Sequence, residues 1–513
     1  MTTTNPPPTS DSSPRPLIAA ALSALVPGSG QILGGAHKRG VVLLVIDILL
    51  LSFIYFFFDF GDKISIAQAF VRPSTMTWMM LANILILSYR AWAAYDAYVV
   101  VSGPRTGTLS PATRRAATVF GVAVAAIGFV VLTPHVVFGY YDLTQYNLIT
   151  GVFADDPEPA TTTTTAPEVA APADGTSAPG SGVATTTSSS TTTTTQPPDN
   201  IFEDLDRLNI LLIGADASEI RTGLRTDTMI TVSIDPATGD AAMFSVPRNW
   251  TYAPLPEGMG VWDCDCYPEL INELWTQGER KPEAFSGPGS PPENAVKGVI
   301  SEFLGIPIHY YAMVNLDGFV DVVDALGGIE LYVPTRVVDS EYKDENGVRG
   351  EIVFEQGLQE MDGHLALAYS RTRRQDSDYF RMNRQRCVID AVLEQTDPLS
   401  LLANFGSIAD AVKRSMQTDI PISALPQLVE LLPKVDRENI VSVRFIPPDY
   451  HLKYRDDGGA GRIANIDLVH EHVDLVIVDP EAAVVQLGLN QLDSVCGEPA
   501  PEQTTTTSGT TTG

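Results

Sequence analysis

Four apolar stretches near the start of the chain constrain its fold more than any other feature. They are residues 17–35, 41–60, 76–101 and 116–141. A helix needs about 20 apolar residues to cross the hydrocarbon core of a bilayer, and the last three stretches meet that length. The first is interrupted by Pro27, Gly28 and Gly30, which leaves open whether it spans the membrane or only enters it. The sequence therefore predicts a transmembrane region of three or four helices over residues 17–141.

Basic residues indicate which way these stretches run. His37, Lys38 and Arg39 precede the second stretch, and Arg114 and Arg115 precede the fourth. Loops rich in Lys and Arg stay on the cytoplasmic side of a membrane. The chain then leaves the bilayer outward, which predicts a multi-pass plasma-membrane protein whose remaining residues are extracytoplasmic. A net charge of -29 also disfavours binding to nucleic acid.

Composition divides the rest of the chain. Residues 1–16 are rich in Thr, Pro and Ser and predict a disordered cytoplasmic tail. Residues 142–200 predict a Thr/Ser/Pro-rich extracytoplasmic linker, because so few large apolar side chains cannot form a core. Residues 498–513 repeat this composition as a disordered, Thr-rich tail. Residues 201–497 remain as the globular domain.

The pattern within residues 201–497 alternates between strands and helices. The apolar run at 208–215 is typical of a strand buried on both faces. Two further strands, 228–234 and 241–246, flank a turn, and 292–303 and 317–326 have helical patterns. This alternation predicts an α/β fold, with a mixed central sheet and helices on both faces in an αβα sandwich.

Arginines are concentrated in one short segment. The six are Arg371, Arg373, Arg374, Arg381, Arg384 and Arg386. Arg371 and Arg373 share a face if the chain is extended, and Arg381 and Arg384 share one if it is helical. Guanidinium groups grip phosphate oxygens through paired hydrogen bonds, so an anion site is one interpretation. A solvated surface helix paired with nearby aspartates is the other, and it is the one we expect for Arg374 and Arg386.

Two aspartates predict a metal site near the start of the domain. Asp216 ends the buried strand and Asp227 precedes the next one, where α/β folds place ligand-binding groups. Two carboxylates at neighbouring strand ends suit Mg²⁺, which prefers oxygen ligands and takes others from phosphate. Taken alone, the pair fits ordinary loop carboxylates equally well. Arg225 and Arg248 lie close by in the sequence and add positive charge.

Together these segments resemble the LytR-CpsA-Psr family of cell-wall glycopolymer transferases. The segments that carry the resemblance read NILLIGAD at 209–216, RTDTM at 225–229, SVPR at 245–248, IN at 271–272, NLDGF at 315–319, DALGGI at 324–329, ALAYSRTR at 366–373 and RQ at 384–385. Two positions depart from the family pattern, because Asn249 replaces a usual Asp and Leu270 replaces a frequent Lys. Neither change falls on a residue assigned below.

The resemblance implies a polyprenyl-phosphate-dependent reaction. Such proteins transfer a glycopolymer from a polyprenyl-diphosphate carrier to peptidoglycan through a phosphodiester bond, with the help of Mg²⁺, for which Mn²⁺ could substitute. The residues that the resemblance implies are catalytic are Asp216, Asp227, Arg225, Arg248, Arg371 and Arg373, the two aspartates also holding the metal. The residues expected to bind substrate are Arg381, Arg384, Gln385 and Asn272.

Two other functions remain open from the sequence. The same site with water as acceptor would make a lipid-diphosphate hydrolase. A site that has lost activity would leave a non-catalytic wall-binding or regulatory protein.

The four cysteines predict disulfides rather than a zinc site. Cys264, Cys266, Cys387 and Cys496 match no Cys/His zinc spacing. All four follow the last apolar stretch, so in an oxidising compartment one or two disulfides can form. The sequence does not indicate which cysteines pair.

Overall fold

The computed structural model describes most of the membrane region and of the globular part. The described residues are 15–102, 111–155, 161–163, 192–194, 201–202, 205–216, 224–344, 348–372, 378–394, 398–435, 439–455, 458 and 461–489. The two predicted terminal tails lie outside these ranges, apart from the first residues of the first helix.

The helices lie in two groups, one before and one after the Thr-rich segment. They are α1 (Arg15–Leu25), α2 (Ser29–Leu33), α3 (His37–Phe60), α4 (Lys63–Phe70), α5 (Pro73–Ser102), α6 (Pro111–Val152), α7 (Leu274–Arg280), α8 (Pro291–Leu304), α9 (Leu316–Leu326), α10 (Gly363–Arg371), α11 (Asp378–Glu394), α12 (Pro398–Ser415), α13 (Leu425–Leu431), α14 (Ile466–Val478) and α15 (Pro480–Leu487). Short 3₁₀ helices are Ile271–Glu273, Pro282–Ala284, Ile422–Ala424 and Leu432–Lys434.

The strands form one large sheet and several small ones. They are β1 (Thr161–Thr163), β2 (Thr192–Thr194), β3 (Leu208–Asp216), β4 (Arg225–Ile234), β5 (Ala241–Ser245), β6 (Trp250–Thr251), β7 (Ala253–Pro254), β8 (Cys266–Tyr267), β9 (Tyr310–Asn315), β10 (Ile329–Val333), β11 (Val337–Lys343), β12 (Arg349–Phe354), β13 (Gly357–Met361), β14 (Met416–Thr418), β15 (Val441–Arg444), β16 (His451–Tyr454) and β17 (Arg462–Ala464).

Three helices of the first group are long and apolar enough to cross a membrane. These segments are His37–Phe60, Pro73–Ser102 and Ala126–Val152. Their apolar side chains are largely exposed, as in Leu49, Phe53 and Phe129, and this suits a surface that faces lipid. The predicted transmembrane region therefore contains three candidate spans.

The first apolar stretch is broken into α1 and α2 at Gly28. With 11 residues, α1 is only about 17 Å long and too short to cross a bilayer. Gly28 has a φ of +99°, and a Cβ there would lie 2.1 Å from the carbonyl oxygen of Gly40. The break therefore brings the turn against the start of α3, and only a glycine fits at this contact.

Ion pairs tie the first group of helices together. Arg90 of α5 lies 3.1 Å from the carboxylate of Asp47 in α3, and it also donates to the carbonyl oxygen of Leu25 at the end of α1. Gln31 donates to Asp96 at 3.1 Å. Charged side chains among apolar helices persist where they are paired, as these are.

The central sheet has six strands in the order β14-β9-β3-β4-β5-β15. The pairs β3–β9 and β5–β15 are parallel, and β3–β4, β4–β5 and β9–β14 are antiparallel. The predicted hairpin between β4 and β5 is present. The sheet is thus mixed, as predicted.

Both faces of this sheet are covered. On one face, Leu211, Ile213 and Phe244 pack with α8 and α14 in the largest core cluster. On the other, Ile230 and Met243 pack against Ile389 of α11. Successive residues of a strand point to opposite faces of the sheet, so one continuous apolar run contributes side chains to the cores on both faces. The α/β class and the helix layers on both faces are confirmed.

Local sequence signals explain where the helices begin and end. Ser290 and Glu293 form a reciprocal capping box at the start of α8, and Gly305 ends it with a φ of +72°. The side chain of Asp362 accepts a hydrogen bond from the backbone of Leu365 and starts α10.

Residues 329–333 form a strand that lies outside the central sheet. This strand, β10, pairs with β13 in a separate two-stranded sheet, beside the β11–β12 hairpin. The buried side chains of this small layer pack against α10 and α11. It thereby supports the helices that carry the arginine segment.

The helix α6 continues to Val152, well past the end of the predicted apolar stretch at residue 141. Its last turns pack against α12, and Ile149 joins Met76 and Leu425 in one apolar cluster. Ala154 then hydrogen-bonds on both sides of Pro421, to the backbone of residues 420 and 422. The segment predicted as the start of a linker is therefore held against the globular part.

The residues that flank the Thr-rich segment on its two sides pack in one apolar cluster. Phe153 and Phe202 both pack around Ile420 and Leu431. The globular unit, which we define as residues 201–489, is therefore attached to the helical region on both sides of this segment. Gln68 of α4 adds a contact by donating to the carbonyl oxygen of Pro426 at 3.1 Å.

The cysteines form disulfides, as predicted. Cys264 and Cys266 are bonded to each other across one intervening residue. Cys387 in α11 is also disulfide-bonded. Cys496 lies outside the described residues.

Candidate active site

Asp227 is the extra residue of a β-bulge between β3 and β4. Thr228 lies opposite Gly214 and Thr226 lies opposite Ala215, so Asp227 is skipped in this ladder. A bulge bends its strand and re-aims the side chain of the extra residue. Asp216 ends β3 directly opposite Arg225, and the two carboxylates therefore lie at the same edge of the sheet, as predicted.

Three side chains hold Asp227 in place. Arg248, just after β5, has its Nη1 atom 2.8 Å from Oδ2 of Asp227. Asn272 donates from Nδ2 to Oδ1 at 3.0 Å, and Arg381 of α11 donates from Nη2 to the backbone oxygen at 3.3 Å. Four separate segments of the globular unit thus meet at Asp227.

The charges around Asp227 determine its ionisation. Burial raises the pKa of Asp227, but Arg248, Asn272 and Arg381 together outweigh burial and hold the pKa below its ordinary value. Opposite charges and hydrogen bonds to a carboxylate both favour its ionised form. Asp227 is therefore ionised at neutral pH.

A narrow cleft opens beside this group of side chains. Its lining consists of Asp227, Thr228, Met229, Ile230, Ser245, Val246, Pro247, Arg248, Arg381, Met382 and Gln385. The volume is about 10 Å³, which is close to the space one water molecule needs. The paired Arg248 and Asp227 side chains form part of the wall of this small space.

Arg225 lies at the rim. Its side chain is 62% exposed and its Nη2 atom is 3.7 Å from Oε1 of Glu273, next to Asn272. An ion pair this exposed contributes little to stability, about 1 kcal/mol at most. The guanidinium is therefore available to solvent-borne ligands.

Arg371 and Arg384 lie together at the end of α10 and do not line the cleft. Arg371 is the last residue of α10 and so is helical, with its Nη1 atom buried and without a hydrogen-bond partner in the described ranges. Arg384, 6% exposed, donates from Nε to the carbonyl oxygen of Tyr369 and from Nη2 to that of Thr372. Arg384 thus holds the end of α10 in place. Arg373 lies outside the described residues.

Arg386 does not lie where we expected. It is 3% exposed, so the prediction of a solvated side chain is wrong. The helix α11 crosses one face of the sheet, and the side of the helix that carries Arg386 is turned inward toward β15. Arg374, for which the same was predicted, lies outside the described residues.

The described residues offer two carboxylates, Asp216 and Asp227, to the predicted metal ion. No group of three or more His, Cys, Asp or Glu side chains converges on one point within the described ranges. Mg²⁺ commonly binds one or two protein carboxylates and completes its shell with water and phosphate oxygens. The donor set therefore fits Mg²⁺ together with a phosphate-bearing substrate.

Comparison with known proteins places the chain in a family. The model of the LytR_cpsA_psr family matches residues 178–452, more than half of the chain. The chain belongs to the LytR-CpsA-Psr family. The residues around Asp227, Arg248 and Arg381 all fall inside the matched range.

Curated relatives in this family carry transferase names. The chain is 32% identical over 225 residues to the polyisoprenyl-teichoic acid–peptidoglycan teichoic acid transferase TagU of Halalkalibacterium halodurans, covering 44% of this chain and 64% of that protein. It is 29% identical over 201 residues to TagV of Bacillus subtilis, covering 39% of this chain and 46% of that one. These matches thus span less than two thirds of either relative's length.

Solved structures of the family also align with the chain. The crystal structure of B. subtilis TagV has a TM-score of 0.39 and 24% identity, covering 53% of this chain and 98% of that one. The structure titled TagT bound to LIIa-WTA has a TM-score of 0.39 and 22% identity, with coverages of 57% and 97%.

Some features of the site had no signal in the sequence. The bulge at Asp227 depends on how β3 and β4 pair, which no local pattern encodes. Arg444, which also lies near α11, looks like an ordinary residue of a buried strand. Asn272 was expected to bind substrate, and in the structure its amide contacts Asp227.

Proposed function

We propose that this protein transfers a glycopolymer from a polyprenyl-diphosphate carrier to peptidoglycan through a phosphodiester bond. The observation that carries the proposal is the group of Arg248, Arg381 and Asp227 around one cleft. Two guanidiniums beside an ionised carboxylate suit a diphosphate and its counter-ion. The names of the curated relatives support the same reaction class.

The chemistry requires positioning and neutralisation of charge. An acceptor hydroxyl oxygen of peptidoglycan forms a bond to the phosphorus that bears the glycopolymer. The bond from that phosphorus to the bridging oxygen breaks, polyprenyl phosphate leaves with the electron pair, and the hydroxyl proton passes to a base. Phosphoryl transfer of this kind depends on electrostatic stabilisation rather than on a covalent protein intermediate.

The arginines would bind the diphosphate. Arg248 would turn from Asp227 to the phosphate oxygens, and Arg381 would keep its position by its contact with the backbone of residue 227. Arg225 and Arg371 would approach from the rim and from the end of α10, and Arg373 follows Arg371 in the sequence. Arg384 would fix α10, and Gln385 lines the cleft beside Arg381.

Asp216 and Asp227 would hold Mg²⁺ when the diphosphate is present. The ion would neutralise part of the negative charge on the diphosphate. Release of Arg248 from Asp227 would free one carboxylate oxygen at the moment when the substrate brings its own charge. Metal binding and substrate binding are therefore coupled in this proposal.

The position of the globular unit supports an extracytoplasmic site. It contacts α4 and the end of α6, both on the same side of the helical region. His37, Lys38 and Arg39 lie at the opposite end of α3, which the positive-inside rule assigns to the cytoplasm. A carrier embedded in the outer leaflet would present its diphosphate on the same side of the membrane as this cleft.

A transfer assay with the full-length protein tests the proposal. The donor is a polyprenyl-diphosphate-linked glycan in vesicles, the acceptor a soluble peptidoglycan fragment, with Mg²⁺ present. Arg248→Gln should lower the rate by about 10²-fold or more, because one charged contact to the reacting group is lost.

Arg336→Gln is the matched control, since Arg336 is 54% exposed and pairs only with Glu355 in the described structure. Equal rates in wild type and Arg248→Gln would contradict the proposal. If the wild type releases polyprenyl phosphate without joining the glycan to peptidoglycan, the protein is a lipid-diphosphate hydrolase. If the wild type does not turn over the donor at all, it is a non-catalytic protein.

A further inference from the structure

A second cavity lies against α11 and the end of β15. Its volume is about 200 Å³, far larger than that of the cleft. The residues whose side chains define its character are Arg386, Ser442, Arg444, Asp449, Tyr450 and Leu487. Gln385 lines the cleft and the adjacent Arg386 lines this cavity, so the two are neighbours on one helix. The proposed transfer reaction does not use it.

Arg386 is buried with part of its guanidinium group unpaired among the described residues. It is 3% exposed, and its Nε and Nη2 atoms have no hydrogen-bond partner within the described ranges. Burying a cation without partners is costly, because water no longer solvates it. Buried polar groups without partners are rare in native structures, and a bound ion that supplies the missing acceptors is one explanation for them.

A second arginine faces the same cavity. Arg444 is at the end of β15, in register with Ser245, which lines the cleft. Burial and the nearby Arg444 lower the pKa of Arg386 to about 10, while Asp390, one helical turn away, acts in the opposite direction. Two like charges at one cavity repel each other, and a bound anion would remove that repulsion.

Two other ionisable groups, Asp449 and Tyr450, line the cavity. Asp449 is exposed, and the pKa of Tyr450 is raised to about 12 by burial and by Asp449. Tyr450 is thus neutral at physiological pH, and its hydroxyl is hydrogen-bonded to Nδ1 of His472 at 2.8 Å. The hydroxyl of Ser442 is buried and has no partner in the part of the chain that the structure describes. The buried charge at the cavity is therefore positive.

We propose that the cavity lined by Arg386 and Arg444 is a second anion site, which binds the phosphate group of a small phosphorylated ligand. Guanidinium groups match phosphate geometry because each can give two parallel hydrogen bonds. The cavity has room beyond a phosphate, and Ser442 and Asp449 can bind the hydroxyls of an attached sugar. The site stands apart from the proposed transfer reaction.

Phosphate titration of the full-length protein tests this site. The protein is kept in a maltoside detergent, which carries no phosphate, and inorganic phosphate binding is measured by calorimetry. The wild type should bind phosphate at the cavity, and Arg444→Gln should weaken that binding at least about tenfold. Arg444 is half-buried at the end of an edge strand, so this variant is expected to fold.

Control variants separate this site from the cleft. Arg336→Gln should titrate like the wild type, and Arg248→Gln should keep the phosphate binding that Arg444→Gln loses. If Arg444→Gln binds phosphate as the wild type does, at an unchanged melting temperature, the proposal is wrong. Loss of binding in Arg248→Gln alone would also overturn it, because the phosphate would then be in the cleft.

Titrations with glucose 1-phosphate and with glucose show whether the ligand carries a sugar as well as a phosphate group. Tighter binding of glucose 1-phosphate than of inorganic phosphate, lost in Arg444→Gln, supports a phosphorylated sugar. Equal binding of the two supports a site for the phosphate group alone. Binding of glucose itself, unaffected by Arg444→Gln, would contradict a site built for an anion.

Discussion

The backbone bulge of β4 at Asp227 determines which charged and polar side chains contact this carboxylate in the cleft. The position of Asp227 in the bulge turns the carboxylate toward Arg248 and Asn272, and the same residue offers its backbone oxygen to Arg381. A single irregularity in strand pairing therefore sets which side chains meet. The low pKa of Asp227 follows from those contacts, and so does its contribution to stability.

The first prediction concerns the pH dependence of that contribution. The pKa of Asp227 is lower in the folded protein than in the unfolded chain, so its ionised form stabilises the fold. The contribution is full above the unfolded pKa of about 3.9 and is lost as the pH falls through the folded pKa. Asp227→Asn should therefore lower the melting temperature at pH 7, and this deficit should shrink below about pH 4.

Thermal unfolding of the full-length protein between pH 7 and pH 2.5 measures this effect. Asp474→Asn on the exposed face of α14 is the control and should change the melting temperature little. A deficit for Asp227→Asn that stays constant down to pH 2.5 would contradict the assignment.

Much of the site at this scale was predictable, and the limits have physical causes. Asp227, Arg248 and Arg381 were selected from the sequence, and the structure brings them together. Burial of Arg386 was missed because α11 has charged residues all round, with no apolar stripe to indicate its inner face. Which side of such a helix faces the sheet depends on tertiary packing.

Helices α10 and α11 act as a braced pair at the scale of elements. Arg384 of α11 replaces the hydrogen-bond donors that the end of α10 lacks, because the last carbonyls of a helix have no partner within it. The hydroxyl of Thr372 adds a bond to Asp339 of β11 at 2.8 Å. The end of α10, and Arg371 with it, is therefore fixed from two sides.

The second prediction tests this brace. Arg384→Lys should lower the free energy of unfolding by about 1–3 kcal/mol, since one ammonium cannot serve both carbonyls and a buried acceptor is left unsatisfied. The transfer rate should fall as well, because Arg371 loses its fixed position. Arg414→Lys, on the exposed surface of α12, is the control and should leave both quantities unchanged. Equal stability of wild type and Arg384→Lys would rule out the brace.

The whole molecule joins a helical membrane region to an α/β unit through packed contacts. The three spans, the central sheet and its helix layers were all predictable, because long apolar runs and short alternating ones differ clearly in length. The contact between the two parts was not. This contact is made by α4 and by the last turns of α6. Nothing in the residues of these segments indicates that they pack against the globular unit.

Phe153 and Phe202, which flank the Thr-rich segment, pack in one cluster. The two ends of the segment are therefore held together, and its length does not set the distance between the cleft and the membrane. The cost of closing a flexible loop grows only as the logarithm of its length, by about 0.6 kcal/mol per doubling. Deleting residues 166–189 should therefore stabilise the protein by about 1 kcal/mol or less and leave the transfer rate within about twofold, as melting temperatures and the same assay would measure. A large loss of transfer would mean that the segment acts as a spacer after all. Insertions there should be tolerated equally well, so the length of this segment is free to vary without moving the cleft relative to the membrane.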